Sequence, residues 1–320
     1  MINKRLYLQK KKRGFSIKNL KNLHIKPNNQ SADFISPPFA VGCEAACSYC
    51  YVGRHRDFGN PLFISENVDD IMDVILDHHA EQPPKYPTYS NQQDEWSWTY
   101  DIGENTDMLS VNNIEMTEHI IRQILCRDAN IKLTMATKLA TKYTVNKLAK
   151  YGKLVRHYKA RIRVSLMPQT LADVIEVGTA RIIDRIKAIR ELYKLNYEVH
   201  VNFSPIVMYG GNQWMQDYID LCKLIDKELG DDYIGSKVKQ QLKCEIIFLT
   251  HHEKLHNHNL LWNGEAESLL WTPDIQEYKT NNRGSSDILR YKMPLKKQAL
   301  TIFKAILAKY LPYCTVRYSF

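Results

Sequence analysis

Two patterns of apolar residues alternate along most of the chain. Short runs rich in β-branched and aromatic residues, at 96–102, 131–136, 162–166, 198–203 and 244–249, predict strands, with a last one at 315–318. Between them, apolar residues recur three and four apart and predict helices over 62–80, 113–126, 142–151, 179–195, 213–229 and 295–310. In the first of these the apolar stripe is Ile64, Val68, Ile71, Met72, Ile75 and Leu76, with Ser65 placed to cap it and Pro83, Pro84 and Pro87 ending it. A β-then-α alternation implies a parallel sheet with right-handed crossovers. Fewer units are present than the eight that close a full barrel, so the expected fold is α/β, a partial, open (β/α)6 barrel with additions at both ends. In such a fold the chemistry sits where strands end and βα loops begin.

Charge changes the picture at one end only. The 320 residues carry a formal net charge of +9. Lys4, Arg5, Lys10, Lys11, Lys12, Arg13, Lys18, Lys21 and Lys26 all fall within residues 1–30, which contain no Asp or Glu. The excess therefore belongs to a basic arm over 1–30, expected to be flexible and drawn to phosphate-rich polymers, ahead of a balanced body over 31–320. No apolar run follows the basic start as a secretory leader requires, and no stretch approaches the length of a membrane span. Seven cysteines, three of them close together at 43–50, make a poor disulfide framework. They fit a reducing cytoplasm and a metal site.

That trio follows the strand-like Phe39-Ala40-Val41 and reads Gly42-Cys43-Glu44-Ala45-Ala46-Cys47-Ser48-Tyr49-Cys50-Tyr51, a C-x3-C-x2-C spacing. A cubane cluster has four irons, each usually held by a thiolate, so Cys43, Cys47 and Cys50 would leave one iron open. An open iron can chelate the amino and carboxylate groups of S-adenosylmethionine, and one electron then cleaves the sulfonium to a 5′-deoxyadenosyl radical. The competing assignment is a zinc knuckle, which needs a fourth ligand close by; His55 is the only near candidate.

The segments 36–55, 99–107, 136–138, 161–169, 197–206 and 245–251 resemble, in order, those of the spore photoproduct lyase family of radical S-adenosylmethionine enzymes. The likeness is closer to its lyase-like branch outside spore formers. The resemblance implies a partial barrel of radical S-adenosylmethionine type, a [4Fe–4S] cluster on Cys43, Cys47 and Cys50, S-adenosylmethionine, a reducing partner such as flavodoxin or ferredoxin, and DNA as substrate. The implied reaction restores two thymines from a methylene-bridged thymine dimer. Tyr49 and Tyr51 are then candidates for the relay that returns a hydrogen atom. The family's hydrogen-donor cysteine falls at Glu104, and a carboxylate cannot replace a thiol in that role. Glu104 resembles instead the acidic residue that binds the cosubstrate's ammonium in this class, with Thr106 beside it. Lys138 falls at a cosubstrate carboxylate contact. Ser165, at the end of its strand, could reach ribose or carboxylate, and Asn202 and Ser204 the adenosyl group. Cys126 and Cys222 are expected as small buried apolar groups in helices.

Toward the C-terminus, His251, His252, His256 and His258 could ligate a metal, but a polar loop facing phosphate is the stronger expectation. Trp262, Trp271, Tyr278, Arg283, Arg290, Tyr291 and Lys292 interleave aromatic and basic side chains as a base-stacking surface would. Arg290 resembles a basic residue that the family places near the lesion. Two other functions stay open from the sequence: the same radical machinery acting on RNA or a small molecule, and a non-enzymatic iron–sulfur or zinc protein that binds nucleic acid.

Overall fold

The computed structural model describes residues 15–28, 30–52, 62–86, 93–127, 129–151, 159–234, 242–280 and 287–320. The elements run β1 (Phe15–Lys18), β2 (Lys26–Pro27), β3 (Phe34–Ile35), β4 (Ala40–Val41), β5 (Leu62–Ser65), α1 (Val68–Ala80), β6 (Trp98–Asp101), α2 (Ile114–Leu125), β7 (Ile131–Thr137), α3 (Lys142–Ala149), β8 (Ala160–Ser165) and α4 (Gln169–Ile175). They continue α5 (Ile182–Lys194), β9 (Glu198–Ile206), α6 (Gln213–Ile234), β10 (Leu242–Phe248), β11 (Thr250–His252), α7 (Glu253–Trp262), α8 (Gly264–Leu270), β12 (Gln276–Thr280), β13 (Asp287–Tyr291), α9 (Met293–Tyr310) and β14 (Cys314–Ser319).

Among the described residues the main sheet has the order β14-β10-β9-β8-β7-β6-β3-β2. Every neighbouring pair is parallel except β2 with β3. The edge strands β14 and β2 do not pair, so the barrel is open as expected. The helices lie on its outside because one face of each strand is apolar. Ile162 and Val164 of β8, Val199, Val201 and Phe203 of β9, and Leu133 and Met135 of β7 are buried in one core with Ile182, Ile186, Ile189 and Leu192 of α5 and Ile120, Ile121 and Ile124 of α2.

The other face of the same strands is ionic. Parallel strands buried on both sides usually read as continuous apolar runs, but here β8 alternates Arg161, Arg163, Ser165 with Ile162 and Val164, and β9 alternates Glu198, His200, Asn202 with Val199 and Val201. The register places Arg161 opposite Glu198 and Arg163 opposite His200. Glu198 accepts from Arg161 Nε at 2.9 Å, His200 Nε2 at 2.7 Å and Lys132 Nζ at 2.5 Å. Glu245 of β10 accepts from Arg317 of β14 at 2.5 Å, which ties in the last strand. Buried ions survive only when paired, and the strand pairing brings the partners together.

Several expectations need correction. Ser65 does not cap α1; it lies in β5, with its hydroxyl on Pro38 O and its N–H on Phe39 O. Asn67 takes the cap position, and its side chain holds Leu20 through both N–H and C=O instead. The strand at Ala40–Val41 is not the first barrel strand but joins β5 and β1 in a separate three-stranded sheet. The barrel begins at β3. The boundary drawn at residue 30 does not hold: β1 and β2 are paired into the body, and β2 pairs with β3 across that boundary. The basic residues from Lys4 to Arg13 lie outside the described residues. The sheet β11-β13-β12 and the helices α4, α7 and α8 had no counterpart in the expected elements.

Candidate active site

The cysteine loop is built by backbone that only some residues tolerate. Gly42 has φ 101°, a conformation suited to glycine. Its N–H donates to Asn105 O at 2.9 Å and its C=O accepts from Thr106 Oγ1 at 2.7 Å. Gly178 donates to Ala45 O, and a Cβ there would stand 2.6 Å from that oxygen, so no side chain fits. Ser48, between the second and third cysteines, is held at three atoms. Its N–H donates to Ile175 O at 2.9 Å, its C=O accepts from Asn259 Nδ2 at 2.9 Å, and its hydroxyl meets Asn263 Nδ2 at 3.0 Å. Elements far apart in sequence, α4 and the α7–α8 corner, thus clamp the loop from two sides.

Cys43, Cys47 and Cys50 all face a cavity of about 420 Å³ at the C-terminal ends of the barrel strands, a size in the small-ligand range. Among the described residues they are its only cysteines. Burial pushes the Cys43 thiol far up, aided by Asp107 and Cys50. Burial also raises Cys47, with Glu176 adding to the rise and Lys138 opposing it. Thiols so placed stay protonated unless a cation takes the proton's place, which is the condition for metal ligation. Among the described residues one His/Cys/Asp/Glu trio has all its ligand atoms within 4.8 Å of one another, and it is not this one. His55 lies outside the described residues.

The rest of the wall is polar. Tyr49 donates to Glu176, and Lys138 sits over the Tyr49 ring at 5.7 Å, with its ammonium 3.9 Å from Glu176. Tyr51 donates to the backbone carbonyl of Glu104. Burial, then Asp101, raises the Glu104 carboxyl above its ordinary value, against the opposing charge of Lys26 and a hydrogen bond from Asn105 at 3.3 Å. Asn202 also lines the cavity, and its buried Oδ1 has no hydrogen-bond partner among the described residues.

Of the site residues expected from sequence, Cys43, Cys47, Cys50, Tyr49, Tyr51, Glu104, Thr106 and Lys138 come together here, as do Asn202 and Ser204. The Thr106 hydroxyl is engaged: it donates to Gly42 and accepts from Asn113 Nδ2 at 2.9 Å. It fastens the loop. Ser165 is buried and is not part of the cavity wall; its hydroxyl lies 3.5 Å from Asn202 Nδ2, one residue behind. Arg290 is also away from the cavity. It lies in β13, where Nε and Nη2 both bond Glu277 Oε1, at 2.9 and 2.8 Å. Tyr291 is buried, with its hydroxyl accepting from Met208 N, while Tyr278 is exposed; Arg283 lies outside the described residues. Cys126 is exposed rather than buried, and Cys222 is buried. His251 and His256 are buried, so they do not form the polar loop expected of them.

Sequence reasoning missed Asp107, Glu176, Asp101 and Arg163. Asp107 accepts from Lys138 N at 2.7 Å and Thr137 Oγ1 at 2.8 Å, fixing the end of β7. Asp101 pairs with Arg163 at 2.6 Å and floors the cavity. The alternation Arg161, Arg163 against Ile162, Val164 is a period-two signal that could have marked Arg163 as inward-facing. Glu176 follows a short helix with no local signal.

A family model described as spore photoproduct lyase matches residues 3–318. The spore photoproduct lyase of Bacillus subtilis (strain 168) is 28% identical over 231 residues, 71% of this chain and 59% of that protein. That of Clostridium acetobutylicum is 19% identical over 210 residues, 66% of this chain and 54% of that protein. The matched stretches thus span less than two thirds of these curated relatives. A solved spore photoproduct lyase double mutant with bound AdoMet and dinucleoside spore photoproduct superposes with a TM-score of 0.80 at 18% identity, covering 98% of this chain and 84% of that one. Another, complexed with dinucleoside spore photoproduct, gives 0.79 at 18% identity over the same shares. These likenesses carry the fold.

Proposed function

The chain belongs to the spore photoproduct lyase family, and from that premise we propose that it is a radical S-adenosylmethionine lyase that repairs spore photoproduct, the methylene-bridged thymine pair, in DNA. The observation that carries the reading is the convergence of three thiols, one buried and two half-buried, on one small-ligand cavity at the strand ends, with Lys138, Glu104 and Asn202 Oδ1, unpartnered among the described residues, in its wall. Cys43, Cys47 and Cys50 would hold a [4Fe–4S] cluster, three thiolates leaving one iron open to a cosubstrate. With S-adenosylmethionine bound and an external reductant such as flavodoxin or ferredoxin, that pair supplies a 5′-deoxyadenosyl radical able to take hydrogen from carbon.

The chain's own residues bind and orient. The Lys138 ammonium lies 3.9 Å from Glu176 and can meet the cosubstrate's carboxylate. Glu104 can meet its ammonium, and an ammonium nearby would hold that carboxyl ionised despite burial. Asn202 Oδ1 can accept from a ribose hydroxyl or an adenine amine. Glu176 fixes the Tyr49 hydroxyl, and the Glu104 carbonyl fixes that of Tyr51. With no fourth cysteine in the described wall, return of the hydrogen atom falls to these tyrosines, or the cosubstrate is consumed at each turnover.

The test is an anaerobic incubation of cluster-reconstituted protein with dithionite, S-adenosylmethionine and dinucleoside spore photoproduct, with thymidine dinucleotide followed by chromatography. Repair with far less than one 5′-deoxyadenosine per product means hydrogen is returned. Repair with matched 5′-deoxyadenosine means consumption, and Glu104→Cys should then lower that ratio. 5′-Deoxyadenosine without repair would transfer the machinery to another substrate.

A further inference from the structure

Behind the cysteine loop, on the side away from the cavity, three ionisable side chains meet in the protein interior. His251 comes from β11, His256 from α7 and Glu267 from α8, and their relative exposures are 0%, 7% and 2%. His251 Nε2 lies 3.0 Å from Glu267 Oε2, and His256 Nδ1 lies 2.6 Å from Oε1. All three ligand atoms fall within 4.8 Å of one another, and among the described residues no other such trio does. Around a tetrahedral zinc with bonds of about 2.0–2.1 Å, neighbouring ligand atoms stand roughly 3.3 Å apart. The observed separations, 3.0 and 2.6 Å, are shorter than that spacing, so Glu267 would move outward by several tenths of an ångström to admit an ion.

Two features say the cluster is incomplete as it stands. Among the described residues Glu267 forms ion pairs with the two histidines alone and with no lysine or arginine. A buried carboxylate needs a positive partner, and a fully buried histidine is a reluctant one. Among the described residues two polar atoms beside the cluster, His251 Nδ1, on the ring side opposite the ligand nitrogen, and Asn259 Oδ1, are buried with no hydrogen-bond partner, an uncommon condition in a finished interior.

We propose that His251, His256 and Glu267 bind a divalent transition-metal ion, Zn²⁺ by ligand type, as a structural site separate from the cysteine loop. Two imidazoles and a carboxylate suit zinc and disfavour calcium and magnesium, which prefer oxygen sets. The ion supplies the charge Glu267 lacks and ties β11, α7 and α8 together. Its effect reaches the cysteine loop through one side chain. Asn259 Nδ2 donates both to Glu267 Oε2 at 2.8 Å and to Ser48 O at 2.9 Å, so the ion would set the position of the residue between Cys47 and Cys50. The proposal does not depend on the reaction assigned above.

The experiment is metal analysis of the full chain purified anaerobically from zinc-supplemented medium, with X-ray absorption at the zinc edge. Expected are about one zinc per chain, a first shell of nitrogen and oxygen with an imidazole signature, and at least tenfold less zinc in His256→Ala and in Glu267→Gln. Zinc should persist in the triple variant Cys43→Ala/Cys47→Ala/Cys50→Ala. Wild-type protein without zinc, sulfur in the first shell, or zinc that follows the cysteines rather than the histidines would overturn the site. Should the histidine and glutamate variants prove insoluble, the wild-type spectrum decides alone.

Discussion

The two ends of the barrel use the same residue types and treat them in opposite ways. Where the strands begin, Lys132, Arg161, Glu198 and Asp94 are sunk into the interior and neutralise one another, with Lys132 at 2.5 Å from both Glu198 and Asp94. Where the strands end, among the described residues, the Lys138 ammonium stops 3.9 Å short of Glu176, Glu104 has a long hydrogen bond from Asn105 and a more distant charge in Lys26, and Asn202 Oδ1 has no hydrogen-bond partner. Paired ions hold strands in register, even though Arg161 Nη1 is buried without a hydrogen-bond partner among the described residues. Ions and amides left with spare capacity beside three thiols are placed for something that is not protein. The difference separates framework from site more sharply than residue type or burial does.

The comparison can be broken at either end. The largest effect is expected at the exit end: Cys47→Ala should reduce bound iron and 5′-deoxyadenosine formation to background, measured by iron analysis and chromatography, with the fold intact by circular dichroism. At the entry end the effect should fall on stability instead. Glu198→Gln leaves Arg161 and Lys132 only Asp94 of the two anions they share and should cost about 3–5 kcal/mol in denaturant unfolding. Soluble Glu198→Gln protein should still take up iron; an equal loss of iron and stability would erase the distinction.

Acid should attack the framework in a definite window. Burial alone would raise Glu245, but Arg163, a hydrogen bond with His200, and Arg317 outweigh it and hold the carboxyl at about 2. A folded value below the ordinary 4.5 means the contribution, on the order of 3 kcal/mol, is fully present above about pH 4.5 and is lost as pH falls toward 2. Unfolding free energy measured from pH 6 to pH 3 should drop more steeply in wild type than in Glu245→Gln. A milder effect is expected at Lys138→Met, where loss of one charge-assisted bond should weaken S-adenosylmethionine binding by about 10- to 100-fold while iron content stays unchanged. Smallest is the basic start. Removing residues 1–14, with Lys4, Arg5, Lys10, Lys11, Lys12 and Arg13, should weaken DNA binding and flatten its dependence on salt, by a log–log slope of at most about 5. An unchanged slope would show that the arm does not touch phosphate.

How much of this was legible in the sequence follows from which interactions are local. Periodicity located barrel strands β6 to β10 and β14 and the helices between them within a few residues, because an apolar stripe or run is a local property, and it missed β2 and β3, two residues each. It failed at Leu62–Ser65, where Ile64 continues the helical spacing of α1 by coincidence and pairing with β1 and β4 makes it a strand. It failed again at β11–β13, short strands stabilised by one another. The cysteine loop was readable from spacing alone. Glu104 and Lys138 were readable because each follows a strand end, and the same rule misplaced Ser165, which ends β8 but stands behind Asn202. Arg290 was assigned by resemblance, and its salt bridge to Glu277 across β12 and β13 could not be foreseen without the sheet. Asn259 and Ser48 are 211 residues apart, and no reading of sequence joins them.

The central claim is that the exit-end cavity performs radical S-adenosylmethionine chemistry. It is tested most directly by mixing reduced, cluster-reconstituted protein with S-adenosylmethionine alone and measuring 5′-deoxyadenosine. Formation that scales with bound iron, and is abolished in Cys47→Ala but retained in soluble Glu198→Gln, is the predicted result. Iron-loaded protein that forms none would contradict it and leave a metal-bearing barrel without this reaction.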